Sequence, residues 1–190
     1  MPMKEAGDMT DAATRRLLDE YLVLAARTGD RKASEQLARR WNRRLVAHAW
    51  RLLGDADLAA DAAQSAWVEI TRGLGRLNDV RAFPAWAYRI VSRQCARRIG
   101  VLQRDRALKR DLEAEPPVVE ALGDDDAQRL RAAIRTLPAG QRAAVALFHL
   151  EDMSIAEVAV ALDVPAGTVK TRLMHARRAL RAVLEGDDHA

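Results

Sequence analysis

The most informative part of the sequence runs from residue 137 to residue 180 and reads LPAGQRAAVALFHLEDMSIAEVAVALDVPAGTVKTRLMHARRAL. Within it, Ser154 is followed three residues later by Glu157, a pair that can satisfy two orphan amides at the start of a helix. Pro165 then breaks the pattern, because proline disfavours helical backbone in the residue before it. A second helix is expected from about Gly167 to Leu184. The stretch therefore predicts a helix-turn-helix.

The second of these helices is predicted to be apolar on one side and basic on the other. Its apolar positions, which would pack on the first helix, are Val169, Leu173, Ala176, Leu180 and Val183. Its opposite face carries Thr168, Thr171, Arg172 and His175, flanked by Lys170, Arg177, Arg178 and Arg181. A recognition helix places its N-terminal residues against base edges, while its basic neighbours contact phosphates. The pattern favours DNA binding over the alternative, a solvated basic face on a structural helix.

Composition limits the other classes of function. The chain has 190 residues, 49% of them hydrophobic and 31% charged, with a net charge of +4, which permits a polyanionic partner without requiring one. Its single cysteine, Cys95, excludes a disulfide framework, and the four histidines form no zinc-binding pattern, so we predict no metal and no cofactor. Cys95 is expected to be a buried small hydrophobe rather than a redox sensor. The sequence shows no paired catalytic carboxylates, nucleophile constellation or phosphate-binding loop, so we predict a protein that is not an enzyme.

The periodicity of the chain is helical almost throughout, with no convincing alternation at period two. We predict an all-α fold of two small helical domains, an N-terminal bundle and a C-terminal helix-turn-helix bundle, joined by a flexible acidic linker. All four tryptophans lie in the N-terminal part, which favours two separate cores. The absence of a long apolar run or a signal-peptide core predicts a soluble, cytoplasmic protein. The predicted divisions are residues 11–110, the linker 111–126 and residues 127–186, with N-terminal helices at about 11–26, 30–53, 55–74 and from 83 to 98 or beyond.

The C-terminal part resembles the domain of extracytoplasmic-function (ECF) sigma factors that binds the −35 promoter element. The GTVKTRL stretch from Gly167 to Leu173 is the most specific part of this resemblance. Asp152 stands where the family often has a glycine. The resemblance implies that the −35 contacts are made by Thr168, Lys170, Thr171, Arg172, His175 and Arg177.

The predicted third helix resembles the segment with which these sigma factors dock on the clamp helices of the polymerase β′ subunit. The matching stretch is LLGDADLAADAAQSAW, and the implied contacts are Asp57, Asp61, Gln64 and Trp67. From periodicity alone, the polar face of this helix is better explained as solvated surface. Leu58, Ala60 and Ser65 stand where the family commonly has acids, which would weaken attraction by about 0.5 kcal/mol per charge. One hypothesis is that phosphorylation of Ser65 restores the missing negative charge.

The predicted fourth helix and the loop before it resemble the part of the family that engages and melts the −10 element. The helix carries Arg89, Arg93 and Arg97 at successive turns, a basic ridge suited to a melted strand. Its Trp86 and Tyr88 are expected in the core rather than as platforms for bases. The implied base contacts in the loop are Asn78, Asp79 and Arg81, although an exposed turn would have the same composition.

The sequence is thus identified as an ECF-type sigma factor of the sigma-70 superfamily. The resemblance implies binding to the β and β′ subunits of core RNA polymerase, recognition of promoter DNA, initiation of transcription and a partner anti-sigma factor. Two alternatives stay open: a helix-turn-helix regulator that acts without polymerase, and a sigma mimic that sequesters an anti-sigma factor.

Overall fold

The structure is a computed structural model that describes the backbone of residues 4–108 and 126–185 and the side chains of residues 13–101 and 129–183. The described residues form helices joined by short turns, as predicted. The N-terminal half contains α1 (Lys4–Arg27), α2 (Arg31–Leu53), α3 (Ala56–Gly73), the short 3-10 turns Leu74–Arg76 and Val80–Ala82, and α4 (Phe83–Leu108). The C-terminal half contains α5 (Asp126–Thr136), α6 (Ala139–His149), α7 (Ile155–Leu162) and α8 (Ala166–Glu185).

Local capping signals explain where several of these helices begin and end. Asp30 and Asp55 precede α2 and α3, and their carboxylates accept hydrogen bonds from amides in the first turns. Gly54 ends α2 with φ 74°, a left-handed conformation that glycine adopts without steric cost. The capping box of Ser154 and Glu157 is present at α7, which confirms that prediction.

Two predicted boundaries differ from the structure. The first helix begins at Lys4 rather than near Asp11, and α4 continues to Leu108, beyond the predicted minimum at Arg98. The predicted acidic linker lies outside the described residues except for Asp126, where α5 already begins.

The N-terminal half is organised around an aromatic cluster. Trp41 and Tyr88 are 1% and 0% exposed, and the Trp41 ring lies edge-on to Phe83 and Tyr88 with centroid distances of 5.1 Å and 5.7 Å. Cys95 is also buried, and burial raises the pKa of its thiol to about 12. It is therefore an inert core residue, as the sequence predicted.

The two halves share one buried cluster, so the prediction of two separate cores is wrong for this arrangement. The cluster runs from Trp41 and Tyr88 to Leu147, Val158 and Val169 without a break. The reason lies in α7, whose sequence IAEVAVAL is apolar around most of its circumference. One side of α7 packs on α6 and α8, and another is buried against α4.

Candidate nucleic-acid interface

Helix α8 presents a polar face to solvent, and its opposite side packs against the other helices of the C-terminal half. On the anchored side, Val169 and Ala176 are both 0% exposed, and Ala176 packs with Leu137 and Val145. Val183, by contrast, is 47% exposed, so its predicted packing on the first helix of the motif is wrong. The helix is therefore held by its first three turns, where a recognition helix must be fixed.

The six residues predicted to contact the −35 element all lie on or beside this polar face. Lys170, Thr171, His175 and Arg177 are exposed, whereas Thr168 and Arg172 are half-buried. The guanidinium of Arg172 crosses the first turn of α6, where a Cβ added at Gly140 would lie 3.1 Å from its Cζ atom. Arg172 is thus positioned by contact with α6 rather than extended freely into solvent.

An apolar groove beside the recognition face was not predicted from the sequence. It has a volume of about 380 Å³ and lies between α6, α7 and α8, with Phe148, Ile155, Leu173 and Met174 on its floor. Met174 is 58% exposed. The groove is bordered by Lys170, Arg177, Arg178 and Arg181. Its floor comes from three helices, so periodicity within α8 alone does not reveal it.

The arginine ridge of α4 is exposed along its whole predicted length. Arg89, Arg93 and Arg97 all face solvent, while Tyr88 is buried and Trp86 is half-buried, as expected for core aromatics. Arg89 is engaged, because its Nη2 donates a 2.9 Å hydrogen bond to Oδ1 of Asp163 at the end of α7.

The loop before α4 holds two of its three predicted base-contacting residues in a pair. The carboxylate of Asp79 accepts a hydrogen bond from the Arg81 amide at 3.0 Å and two from the Arg81 guanidinium, both at 3.1 Å. These bonds hold the pKa of Asp79 below its usual value. Asn78 is exposed beside them. The hydrogen bonds between Asp79 and Arg81 therefore fix the conformation of this exposed, charged turn.

The predicted polymerase face follows one side of α3. Asp57, Asp61 and Gln64 are exposed, and Val68 continues the same face with 46% exposure. Trp67 lies off this face: it is half-buried against the core, and its Nε1 donates a 3.0 Å hydrogen bond to Oδ1 of Asn42 on α2.

Ser65 lies on α3 beside this face and is half-buried. Its hydroxyl donates to the main-chain oxygen of Asp61 at 2.9 Å, and Nη2 of Arg98 donates to it at 3.3 Å. The hydroxyl is therefore engaged on both sides by the protein. Its phosphorylation stays a prediction.

Two sequence families match these two parts of the chain. The family described as Sigma-70 region 2 matches residues 37–104, and the family described as Sigma-70, region 4 matches residues 127–180. The ECF RNA polymerase sigma factor SigM of Mycobacterium tuberculosis is 36% identical over 168 residues, covering 87% of this chain and 84% of that protein. This chain is an ECF sigma factor of the sigma-70 family.

Other relatives agree with this assignment. This chain is also 28% identical to the RNA polymerase sigma-H factor of Pseudomonas aeruginosa over 184 residues, covering 88% of this chain and 94% of that protein. The ECF RNA polymerase sigma-E factor of Escherichia coli is 28% identical over 182 residues, with the same coverage of 88% and 94%.

Solved structures show the same fold. The sigma factor RpoE in complex with the anti-sigma factor NepR from Bartonella quintana has a TM-score of 0.63 at 22% identity, covering 80% of this chain and 96% of that one. CnrH in complex with the cytosolic domain of CnrY has a TM-score of 0.60 at 23% identity, covering 90% of this chain and 99% of that one.

Membership of the family gives the function of the chain. An ECF sigma factor binds core RNA polymerase, recognises promoters and initiates transcription, and it is not an enzyme. A regulator that acts through a helix-turn-helix alone would not match region 2. Within the described residues, no helix is both long enough and apolar enough to cross a membrane.

Proposed function

We propose that this sigma factor reads the −35 element with the N-terminal half of α8. The observation that carries the proposal is the division of the helix into two faces. Val169 and Ala176 are fully buried behind it, while Lys170, Thr171, His175 and Arg177 face solvent. Helix-turn-helix proteins insert this part of the recognition helix into the major groove. We assign base-edge and phosphate contacts to Thr168, Lys170, Thr171, Arg172, His175 and Arg177.

We propose that the −10 element meets α4 and the loop before it. Arg89, Arg93 and Arg97 stand one turn apart on an exposed face, a spacing that suits successive phosphates of one strand. Asn78, Asp79 and Arg81 lie together at the exposed turn that leads into this helix, and we assign them to base contacts.

We propose that α3 provides the contact with the β′ subunit of core RNA polymerase. Asp57, Asp61 and Gln64 form an exposed acidic and polar face, and such faces steer association with basic surfaces. Trp67 borders this face from its half-buried position and completes the proposed set. The β subunit and an anti-sigma factor are proposed as further partners. The RpoE structure is a complex with the anti-sigma factor NepR, and the CnrH structure is a complex with the cytosolic domain of CnrY.

The proposed domains are residues 11–110, which contain the match to region 2, and residues 127–186, which contain the match to region 4, with residues 111–126 between them. Because transcription initiation takes place on the chromosome, we propose that the protein acts in the cytoplasm.

Run-off transcription with purified core RNA polymerase on genomic fragments tests these assignments. Arg177→Ala should lower the affinity of the holoenzyme for promoter DNA about tenfold. It should also reduce the slope of the logarithm of the binding constant against the logarithm of salt concentration by about one. Asp61→Ala should weaken the binding of core polymerase instead. The matched control is Arg131→Ala, which removes an exposed arginine on α5. Equal effects of Arg177→Ala and Arg131→Ala would contradict the −35 assignment.

A further inference from the structure

Helix α1 exposes a row of large apolar side chains that none of the assigned contacts uses. Leu17, Tyr21 and Leu24 follow one another at spacings of four and three residues, which place them on one side of the helix. Their exposed fractions are 66%, 65% and 53%, and Leu18, which borders the row, is 41% exposed. We call these four residues the α1 stripe.

Packing within the chain does not explain the α1 stripe. The opposite side of α1 supplies the core residues, because Leu22 and Val23 are 2% and 0% exposed and the helix packs on α2. Single exposed apolar residues are ordinary on a protein surface, whereas a continuous row indicates a surface that another molecule covers. The stripe also lies outside the two family matches, at residues 37–104 and 127–180.

Two residues of opposite charge flank the stripe along one edge. Glu20 and Arg27 are seven residues apart, so they lie two turns apart on the same side of the helix, and both are half-buried. In the part of the chain that the structure describes, neither makes an ion pair, and Nε of Arg27 is buried without a hydrogen-bond partner. Glu20 attracts Arg81, but the guanidinium of Arg81 is bonded to Asp79. Both charges can therefore pair with another molecule.

The order of these two charges makes α1 complementary to a second copy of itself. Two copies related by a twofold axis make each contact twice. When Tyr21 packs against Leu24 of an antiparallel second copy, Glu20 lies opposite Arg27 of that copy, and Arg27 lies opposite its Glu20. In a parallel pair, the charged edge of each helix instead faces the apolar edge of the other, which carries Leu18, and no ion pair forms. The charges therefore favour the antiparallel pair.

We propose that α1 is a self-association surface, through which two copies of this sigma factor form an antiparallel dimer held by the α1 stripe and by two Glu20–Arg27 ion pairs. The contact covers about four turns, or about 22 Å of helix. Because this is small for a protein interface, we expect a reversible dimer with a dissociation constant of about 10–100 µM. The proposal uses none of the residues assigned to polymerase or promoter contacts, so it stands apart from those assignments.

The first test measures the mass of the free full chain by sedimentation equilibrium, at concentrations below and above the expected dissociation constant. The wild type should change from monomer to dimer. Leu17→Ala/Leu24→Ala should raise the dissociation constant at least about tenfold, because it removes apolar contact area from both copies.

The matched control is Leu150→Ala, which removes a leucine that is 68% exposed in the C-terminal half and should leave the dimer unchanged. A wild-type protein that stays monomeric would overturn the proposal and assign the stripe to a different protein. Equal weakening by the control and by the double variant would also overturn it.

The second test uses the charges to decide the orientation. In the dimer of Glu20→Lys both pairs join two cations, and in the dimer of Arg27→Glu both join two carboxylates, so each variant alone should dimerise about tenfold more weakly. An equimolar mixture should recover the affinity of the wild type, because both pairs of a mixed dimer have opposite charges. Recovery would also show that both variants are folded.

The control for the change in net charge is Arg131→Glu, at an exposed position on α5, which should dimerise as the wild type does. A mixture of Glu20→Lys and Arg27→Glu that associates no better than the separate variants would overturn the antiparallel pairing. Weakening by Arg131→Glu equal to that by Arg27→Glu would do the same.

Discussion

The hydroxyl of Ser92 is shared between a main-chain oxygen of the other sigma region and a buried histidine. The hydroxyl donates to the main-chain oxygen of Ala161 at 2.7 Å. Nε2 of His48 lies 2.9 Å from the hydroxyl oxygen of Ser92. A serine hydroxyl has one proton, so His48 must be the donor in the second bond and carries its proton on Nε2. A neutral histidine is thereby tied through α4 to α7.

Removal of this shared hydroxyl should lower the stability of the folded protein. Ser92→Ala leaves the Nε2 proton of His48 and the oxygen of Ala161 without their partner in a buried site, and we expect a loss of about 1–3 kcal/mol in the free energy of unfolding. Urea titration followed by circular dichroism measures it. Ser34→Ala is the control, because its hydroxyl bonds the main-chain oxygen of Asp30 at the surface of α2. Equal losses in both variants would contradict the role of Ser92.

His48 should make the folded state sensitive to acid. Burial, and then the charge of Arg51, lower the pKa of His48 to about 3, from its ordinary value of 6.5. Between these values the unfolded chain binds a proton that the folded protein does not, so stability falls as the pH falls from 6.5 towards 3. We expect a loss of about 2 kcal/mol between pH 7 and pH 5 from this residue.

Chemical denaturation at several pH values measures that loss in the wild type and in His48→Gln. Glutamine can still donate to Ser92 but does not titrate, so the variant should have a flatter profile. An unchanged pH profile in His48→Gln would show that other groups are responsible.

The capping box of α7 should contribute about 1 kcal/mol to stability. Ser154→Ala removes the acceptor of the Glu157 amide, a bond of 3.2 Å in the structure. Glu157→Gln is the matched control, because glutamine can keep the reciprocal bond to the Ser154 amide. Thermal unfolding should show a lower midpoint for Ser154→Ala and a nearly unchanged one for Glu157→Gln; the reverse order would contradict the capping geometry.

A side chain added at Gly73, the last residue of α3, should lower the stability of the protein. An added Cβ would lie 2.9 Å from Cζ2 of Trp86, which must then move within the packed N-terminal half. We expect Gly73→Ala to lower the free energy of unfolding by about 1–3 kcal/mol. Gly75→Ala meets nothing within 4 Å and serves as the control. Tryptophan fluorescence during urea unfolding distinguishes the two, and a neutral Gly73→Ala would contradict the contact.

Local signals in the sequence predicted most of the helices and the exposed faces. Each signal lies within a few residues of the feature that it predicts. The Ser154–Glu157 pair predicts the start of α7, Pro165 predicts the turn before α8, and the one-sided charge of α8 predicts its exposed face. The same is true of the α3 face, because Asp57, Asp61 and Gln64 follow from helical periodicity alone.

The ion pairs between the two regions could not be predicted in this way, because they join distant parts of the chain. Arg44 and Glu151 are 107 residues apart, and Arg16 and Asp152 are 136 apart. Periodicity shows that α7 is apolar on more than one side, but not which helix covers the second side. The left-handed backbone at Asp152 has one signal in the sequence, because this residue stands where the family often has a glycine.

The contact between Arg142 and the end of α2 includes both attraction and repulsion. Its guanidinium reaches the main-chain oxygen of Arg51, and so lies beside a second positive side chain in a partly dehydrated site. Burial, and then the charge of Arg51, lower the pKa of Arg142. The contact between the two regions thus combines two charge-assisted hydrogen bonds with repulsion between two guanidinium groups.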